Sequence, residues 1–296
     1  MLTITPRLIF KWLLKDIWKI IFISIIFAAI SVFYALSIPN EYSSSVKVSS
    51  NLSDSKSMGG ALSSLGGLAS LAGVSLGGGS MSPEVLKEMI SSASFLASFI
   101  RFSSIEKEIM ASESYDSVND KFIYNVKIYD IKNNQWVRDF KFPQQLAPSD
   151  IELVEKFKEF YSVNYDRKTE IISLNFSSFS PYFSRNVLND LVLYFNSYMK
   201  NKDLIDSESS IKYLKSELKK SKYNEVSYAL QQILEEQYKK LALAQTREDY
   251  ALRYIDKPMV SANKSAPKRA LICVAITVLG TFFSILLLWS IRIFRL

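Results

Sequence analysis

Apolar residues in this 296-residue chain follow three patterns, and each predicts a different kind of element. At the two ends they run unbroken: Ile20 to Asn40 is 21 residues without a charge, and Ala270 to Ile291 is 22. A hydrocarbon core of roughly 30 Å takes about 20 helical residues, so each run is long enough to span it. Trp18 and Trp289 stand at the run ends, where amphipathic rings settle among headgroups. A cleaved signal peptide is the rival reading of the first run, given its charged start and the small pair Ala35 and Ser37. Its apolar length exceeds the usual 7–15 residues or so of such a region, which favours a retained anchor. The second run is too long and too free of charge for a buried core helix.

Between the runs, period two alternates with helical spacing. "EYSSSVKVSS" (Glu41 to Ser50) alternates polar and β-branched residues and predicts a strand; "NVKIYD" (Asn125 to Asp130) suggests another. "YSVNYD" and "TEIISLNFSS" read as a hairpin closed by the turn Asp166, Arg167 and Lys168. Pro83 opens a helix whose apolar face carries Met89, Ile90, Phe95, Leu96 and Phe99. Ser149 and Glu152 form a capping box ahead of a helix faced by Ile151, Val154 and Phe157.

From Pro181 to Asp256 the chain has no further proline and no glycine, and these 76 residues read as helix with Ser180 as cap. Leu188, Leu191, Phe195 and Tyr198 form one stripe; Ile211, Leu214 and Leu218 continue it, and Leu230, Leu234, Tyr238 and Leu241 resume it. "SKYNE" (Ser221 to Glu225) interrupts the pattern. Both neighbours of the segment are expected near the bilayer, so a fold-back near Asn224 into a helical hairpin is preferred over one straight rod. The stripe is read as packing rather than as a binding surface.

Glycine changes the picture at one place only. "GGALSSLGGLASLAGVSLGGG" holds Gly59, Gly60, Gly66, Gly67, Gly73, Gly77, Gly78 and Gly79, eight of the nine glycines, and no charge lies between Lys56 and Glu84. A third membrane span there would need more than its six large aliphatics and tolerates three adjacent glycines poorly. The reading left is a flexible, uncharged loop available for contact with a partner, set against a plain insertion without a role.

Net charge is +7, but +3 of it falls in residues 1–40 and +2 in residues 270–296. The central 229 residues hold 30 basic and 28 acidic side chains, too balanced a surface for nucleic-acid binding. Arg7, Lys11, Lys15 and Lys19 before the first run favour a cytoplasmic amino terminus, and two spans return the carboxyl end there. Lys264, Lys268 and Arg269 before the second run oppose that orientation; the first flank is given precedence because the first helix usually dominates. There is no histidine, and Cys273 is the only cysteine, so no disulfide, zinc site, Cys–His pair or Ser–His triad is expected within one chain. No catalytic residue, metal or cofactor is therefore assigned. A paired-carboxylate glycosidase would need a pair that stands out among the central acids, and none does.

The stretch "DYALRYIDKPMVSANKSAPKRALICVAITVLG" resembles the polysaccharide co-polymerases, the Wzz-like chain-length determinant family of bacterial inner membranes. That family's pattern is matched by Pro258, Ser265, Pro267 and Lys268, with Gly280 at the expected distance. Ser261 stands where a second proline is usual, and Thr281, Phe282 and Phe283 replace a small-residue run, which weakens any transfer of glycine-mediated helix packing. "LSIPNEYSSSVKV" resembles the family's exit from the first span; "SPYFSRNVLNDLVLYFNSYMK" and "ILEEQYKKLALAQTREDYALRYIDKP" look like its two long helices. Residues 100–150 do not align. Some members carry a cytoplasmic kinase; no G-x-x-x-x-G-K-S/T occurs here and few residues follow Ile291, so a chain without it is expected.

The resemblance implies an α+β membrane protein in which two transmembrane helices flank a periplasmic α/β base domain with a long helical hairpin. The expected division is a cytoplasmic tail 1–19, a span 20–40, a base domain 41–180 containing the loop 59–79, a hairpin 181–256, a proline-containing linker 257–269, a span 270–291 and a cytoplasmic end 292–296. It further implies a homo-oligomeric ring that sets the length of O-antigen or a related surface polysaccharide, with the bonds made by a separate polymerase on a lipid-linked glycan. The alternative is a capsule polysaccharide export subunit of the same superfamily. A two-span sensor would share the layout but needs a cytoplasmic output segment. Pro258 is read as a helix stop; Pro267 and Lys268 either stiffen the approach to the membrane or touch headgroups or a partner.

Overall fold

The computed structural model describes residues 16–52 and 81–294, with the side chains of 292–294 left aside. All eight glycines of the Gly59–Gly79 stretch, and Arg7, Lys11 and Lys15, lie outside the described residues. The chain divides into two compact units, Met1–Tyr42 with Asn263–Leu296, and Ser43–Ala262.

The first unit is a pair of helices, α1 (Ile17–Ser37) and α8 (Arg269–Phe294), each long and apolar enough to cross a membrane. They form where the two uncharged runs predicted them, although α1 starts and stops about one turn earlier than the 20–40 expectation. They pack antiparallel along a seam of small residues. The Ser24 and Thr281 hydroxyls meet at 2.9 Å, Cys273 Sγ lies 3.8 Å from the Ser31 carbonyl, and Ser31, Ala35 and Ser284 are buried. Small side chains let two apolar helices approach closely, which supplies the dispersion contact that lipid cannot drive by exclusion from water.

The second unit is built on a four-stranded sheet of order β6–β7–β1–β8, with β1 Tyr42–Ser50, β6 Tyr161–Asp166, β7 Ile171–Ser178 and β8 Leu252–Asp256. β6 pairs antiparallel with β7, and β1 antiparallel with β8. Period two decides which face is covered: Val46 and Val48 of β1 and Ile172, Leu174 and Phe176 of β7 are buried, and their neighbours in sequence are not. Six helices contribute to the same core: α2 (Pro83–Ile90), α3 (Ala93–Ser103), α4 (Glu106–Met110), α5 (Asp150–Phe160), α6 (Pro181–Lys220) and, through Ala244, α7 (Asn224–Thr246). Phe95, Phe99, Phe157, Phe176 and Phe195 are all among the largest fully buried side chains, and neighbouring rings within this set meet edge-on or tilted. Each such burial contributes about 1.5–3 kcal/mol, so the aromatic centre holds helices to sheet more firmly than any polar contact at the surface.

The helix opened by Pro83 is two helices. Ser82 caps the first and Ser92 the second, and the bend at Ser91–Ser92 turns Ile90, Phe95, Leu96 and Phe99 into one core without a continuous stripe. The Ser149–Glu152 capping box is present, but the buried face of α5 is Leu153, Val154 and Phe157. Ile151 is 71% exposed, a correction that follows from helical angle, because at about 100° per residue it lies off the arc that Leu153, Val154 and Phe157 share. Of Asn125–Asp130 only Tyr129–Asp130 (β4) is strand, paired with β5 (Gln135–Trp136).

The largest correction concerns 181–256. Helix α6 ends at Lys220 and α7 (Asn224–Thr246) folds back along it, so the break at Ser221–Tyr223 is the expected one. Asp203 Oδ1 lies 2.8 Å from Lys240 Nζ, and Lys215 Nζ sits over the Tyr238 ring, so the two helices are in side-chain contact. Helix stops at Thr246, however, and Leu252–Asp256 is a strand. Helix propensity in "ALRYID" is ordinary, and pairing with the open edge of β1 outweighs it.

A hairpin device recurs three times in this unit. β2 (Ser112–Asp116) and β3 (Lys121–Tyr124), β4 and β5, and β6 and β7 are each joined by four residues after a Tyr-Asp pair. Asp116, Asp130 and Asp166 each accept the backbone N–H two residues on, at 2.9 Å. The fourth loop residue is left-handed each time: Asp120 (φ 52°), Asn134 (φ 53°) and Glu170 (φ 56°). Hydrogen bonds hold all three carboxyls below their ordinary range. For Asp116 and Asp130 the side-chain amides of Asn119 and Asn133 act most strongly, and for Asp166 the Lys168 amide does.

Candidate functional site

The segment before the second candidate span carries most of the family-like motif. Pro258 belongs to the Ser43–Ala262 unit and is buried just past β8. The carbonyl of Met259 accepts the hydroxyl of buried Ser44 at 2.8 Å. Proline has no N–H to extend the ladder, so β8 stops pairing with β1 at Asp256, opposite Lys47.

Ser265, Pro267 and Lys268 belong to the helix-pair unit and gather around Glu41. Glu41 donates its N–H to the Ala266 carbonyl at 2.8 Å. Its own carbonyl accepts from the Ser265 N–H at 2.8 Å and the Ser265 hydroxyl at 3.0 Å. The Pro267 carbonyl accepts from Arg269 N–H, and the Lys268 carbonyl from Leu271 and Ile272, so the two residues set the first turn of α8. Arg269 then reaches back: its Nη2 donates to the Ile38 carbonyl at 3.2 Å and Asn40 Oδ1 at 3.1 Å. Ile38 is the C-cap of α1, where a cation meets the negative end of a helix dipole. This clasp ties the end of one apolar helix to the start of the other. Lys264 and Lys268 are exposed beside it and make no ion pair among the described residues.

Gly280 lies 12 residues beyond Lys268, about 18 Å along α8 at 1.5 Å per residue. A Cβ placed there would fall within 2.7 Å of Phe27 Cβ and closer still to its ring. Glycine-mediated packing is thus present at Gly280 itself, although the residues after it depart from the small-residue pattern. The structure brings Ser265, Pro267 and Lys268 together, puts Gly280 deeper in the helix pair, and leaves Pro258 in the other unit.

A second constellation, at the root of the hairpin, was not read from sequence. Asn196 of α6 accepts from the N–H of Ala251 (2.9 Å) and Leu252 (2.7 Å) on its Oδ1 and donates Nδ2 to the Leu252 carbonyl at 2.9 Å. One turn pair further on, Asp203 accepts from Tyr250 O–H at 2.6 Å and from Lys240 of α7 at 2.8 Å. Burial first, then the hydrogen bond and charge of Asp203, pushes the Tyr250 phenol well above its ordinary range. Asn196, Asp203 and Ser207 are buried polar residues on one helical face, spaced by seven and four. That spacing inside an apolar stripe was the available signal. Chemically, both constellations fasten elements together. Among the described residues no three of His, Cys, Asp and Glu are placed to hold a metal ion.

No curated protein matches the chain. Among solved structures, a full-length bacterial polysaccharide co-polymerase aligns over 97% of this chain and 97% of its own, at 12% identity and a TM-score of 0.40. A fragment of WzzB, a polysaccharide co-polymerase from Salmonella Typhimurium, aligns over 77% of this chain and 100% of its own, at 12% identity and a TM-score of 0.33. The family model for Wzz, chain length determinant protein, matches residues 4–102, the stretch that holds α1, β1, α2 and α3. Over residues 4–102 the chain is therefore similar to the chain length determinant domain of the Wzz family, the family that the sequence resembles.

Proposed function

We propose that this protein is an inner-membrane regulator of polysaccharide chain length, acting on O-antigen or a related surface polymer while a separate polymerase forms the bonds. The family match over residues 4–102 carries the reading. Two helices long and apolar enough to cross a membrane, joined by the Glu41–Ala266 and Arg269–Asn40 clasp, agree with an anchored scaffold. So do the polar fastenings at the hairpin root, which stiffen a protruding element rather than open a reaction site. In this reading residues 41–269 are periplasmic and both termini cytoplasmic. The protomers assemble into a homo-oligomeric ring around a lipid-linked glycan. Lys264 and Lys268 sit where cations meet headgroup phosphates. The Gly59–Gly79 stretch faces glycan or polymerase.

Disrupting the gene and sizing the surface polysaccharide on a gel tests the proposal. A clustered length distribution that becomes broad supports it. An unchanged ladder overturns it, and loss of all surface polymer points to export instead. A reporter fused behind Leu296 that is active in the periplasm would refute the topology.

A further inference from the structure

We infer that the open groove between the end of α3 and the first half of α6 is a binding site for a neutral polysaccharide strand. This rests on the chain-length reading, which makes a glycan something the protein meets. The groove encloses about 770 Å³ and follows α6 from Asp190 to Asp206, a distance of about 24 Å at 1.5 Å per residue.

Its floor is aromatic and fixed. Tyr194 lies against Phe102 with ring centroids 4.7 Å apart and an interplanar angle of 31°. Beneath it the fully buried rings of Phe95 and Phe99 hold Tyr194 at 5.7 and 5.8 Å, and Phe95 holds Tyr198 at 5.6 Å. The supporting rings belong to the core, so the platform exists before any ligand arrives and little ordering is needed on binding. Phe102 is 72% exposed and Tyr198 37%, so the rings are open to a ligand.

Polar groups stand at regular intervals beside the rings. Ser197 and Asn201 project from the same side of α6 as Tyr194 and Tyr198, at three- and four-residue spacing, and Asp206 lines the groove farther along the helix. Among the described residues none of these side chains, nor either phenol, has a hydrogen-bond partner, so each is available to a ligand. A helix from another protein would cover the rings but would bury these acceptors unpaired. A pyranose offers both surfaces at once, an apolar C–H face for a ring and hydroxyls around its edge.

Charge narrows the class. Two carboxylates, Asp190 and Asp206, against one cation, Lys202, leave the groove net negative and rich in acceptors. It complements hydroxyl donors and repels a phosphate- or uronate-bearing strand.

The test uses full-length protein in lipid nanodiscs and, as probe, the producing strain's surface polysaccharide freed of its lipid by mild acid. Binding is followed by saturation-transfer NMR and titration. The wild type should bind with little dependence on salt. Phe102→Ser, at an exposed position, should weaken binding at least tenfold with an unchanged melting temperature; Tyr198→Ser should weaken it as much, and Tyr198→Phe, which keeps the ring on Phe95, should retain most of it. A wild type that does not bind, or variants that bind as the wild type does, would overturn the proposal. So would a polymer carrying phosphate or carboxylate that binds the groove equally well. Variants that change oligomer size while binding stays intact would make the groove a contact between copies, and the proposal wrong. The two readings fail separately. Normal glycan binding by the groove variants, alongside a gene disruption that broadens the length distribution, refutes only the groove. Loss of binding alongside an unaltered ladder refutes only chain-length control.

Discussion

Replacing Asp203 by alanine is expected to loosen the root of the helical hairpin more than any other single change in α6 outside the apolar core. The Tyr250 hydroxyl donates to Asp203 at 2.6 Å, and both residues are buried, at 2% and 8% exposure. A buried hydrogen bond to a charged group is worth about 1.5–3 kcal/mol, and its loss strands the phenol without a partner. The second partner, Lys240, keeps 42% of its side chain in water, so that ion pair is screened and adds only about 0.2–1 kcal/mol. Asp203→Ala should therefore cost about 2–4 kcal/mol, Tyr250→Phe about 1–2, and Lys240→Met under 1. Chemical denaturation of the full-length protein in detergent, followed by circular dichroism, measures these differences. A double-mutant cycle should give Asp203 and Tyr250 a coupling of at least about 1 kcal/mol. Amide exchange in 224–256 should quicken in Asp203→Ala while exchange in β6 and β7 stays slow. A cost for Asp203→Ala no larger than that of Lys240→Met would refute the reasoning. The pH dependence has a definite sign. The folded phenol of Tyr250 ionises well above the ordinary 10.0, so its contribution is complete below pH 10 and is lost as pH rises beyond it.

Other expectations follow from single contacts. Arg138 grips Glu152 with two hydrogen bonds, at 2.7 and 3.0 Å, and with the Ser149 amide and hydroxyl holds that carboxyl down to about 2 against an ordinary 4.5. The stability it supplies is present above pH 4.5 and fades as pH falls toward 2; in Arg138→Gln the carboxyl should titrate higher, toward its ordinary range, read by carbon NMR. Gly280→Leu should push Phe27 and with it α1 away from α8. In a Cys273→Ser background, disulfide crosslinking of Ser24→Cys to Thr281→Cys should then fall severalfold. Glu170 holds a left-handed backbone (φ 56°) at the β6–β7 turn, so Glu170→Gly should stabilise by about 0.5–1 kcal/mol, and a loss of stability would contradict the strain.

How much could be read in advance depended on how local the cause was. Caps announce themselves, because a serine or proline at a helix start acts on backbone groups within three residues: Ser149 and Ser180 cap and Pro83 opens its helix as read, and Ser82 caps the last without having been named. The fold-back at Ser221–Tyr223 was visible as a lapse in the apolar repeat. Ile151 was misassigned because a first-turn residue has the same spacing as a core residue, and only the position of the sheet decides which is covered. Leu252–Asp256 was read as helix for lack of a breaker, and nothing local could reveal the edge of β1 some 200 residues earlier in the chain. The three Tyr-Asp turns did carry a sequence signal, a pair followed four residues later by a strand. It was read at Asp166 but not at the other two, where Asp120 and Asn134 stand in place of a glycine.

What the sequence alone determined is what depends on composition over one or two turns. That includes two uncharged runs long enough for a bilayer, a period-two strand at Val46 and Val48, a capped helix at Ser149, and a motif around Pro267 and Gly280. Tertiary structure decided which of these meet. It placed Ser265 and Ala266 on Glu41, Arg269 on Asn40, Phe27 over Gly280, and Asn196 under Leu252, pairs that lie tens to hundreds of residues apart. Local propensity is worth a fraction of a kcal/mol per residue, whereas closing a buried polar pair or an aromatic core is worth several. The long-range contacts therefore override the local ones wherever the two disagree.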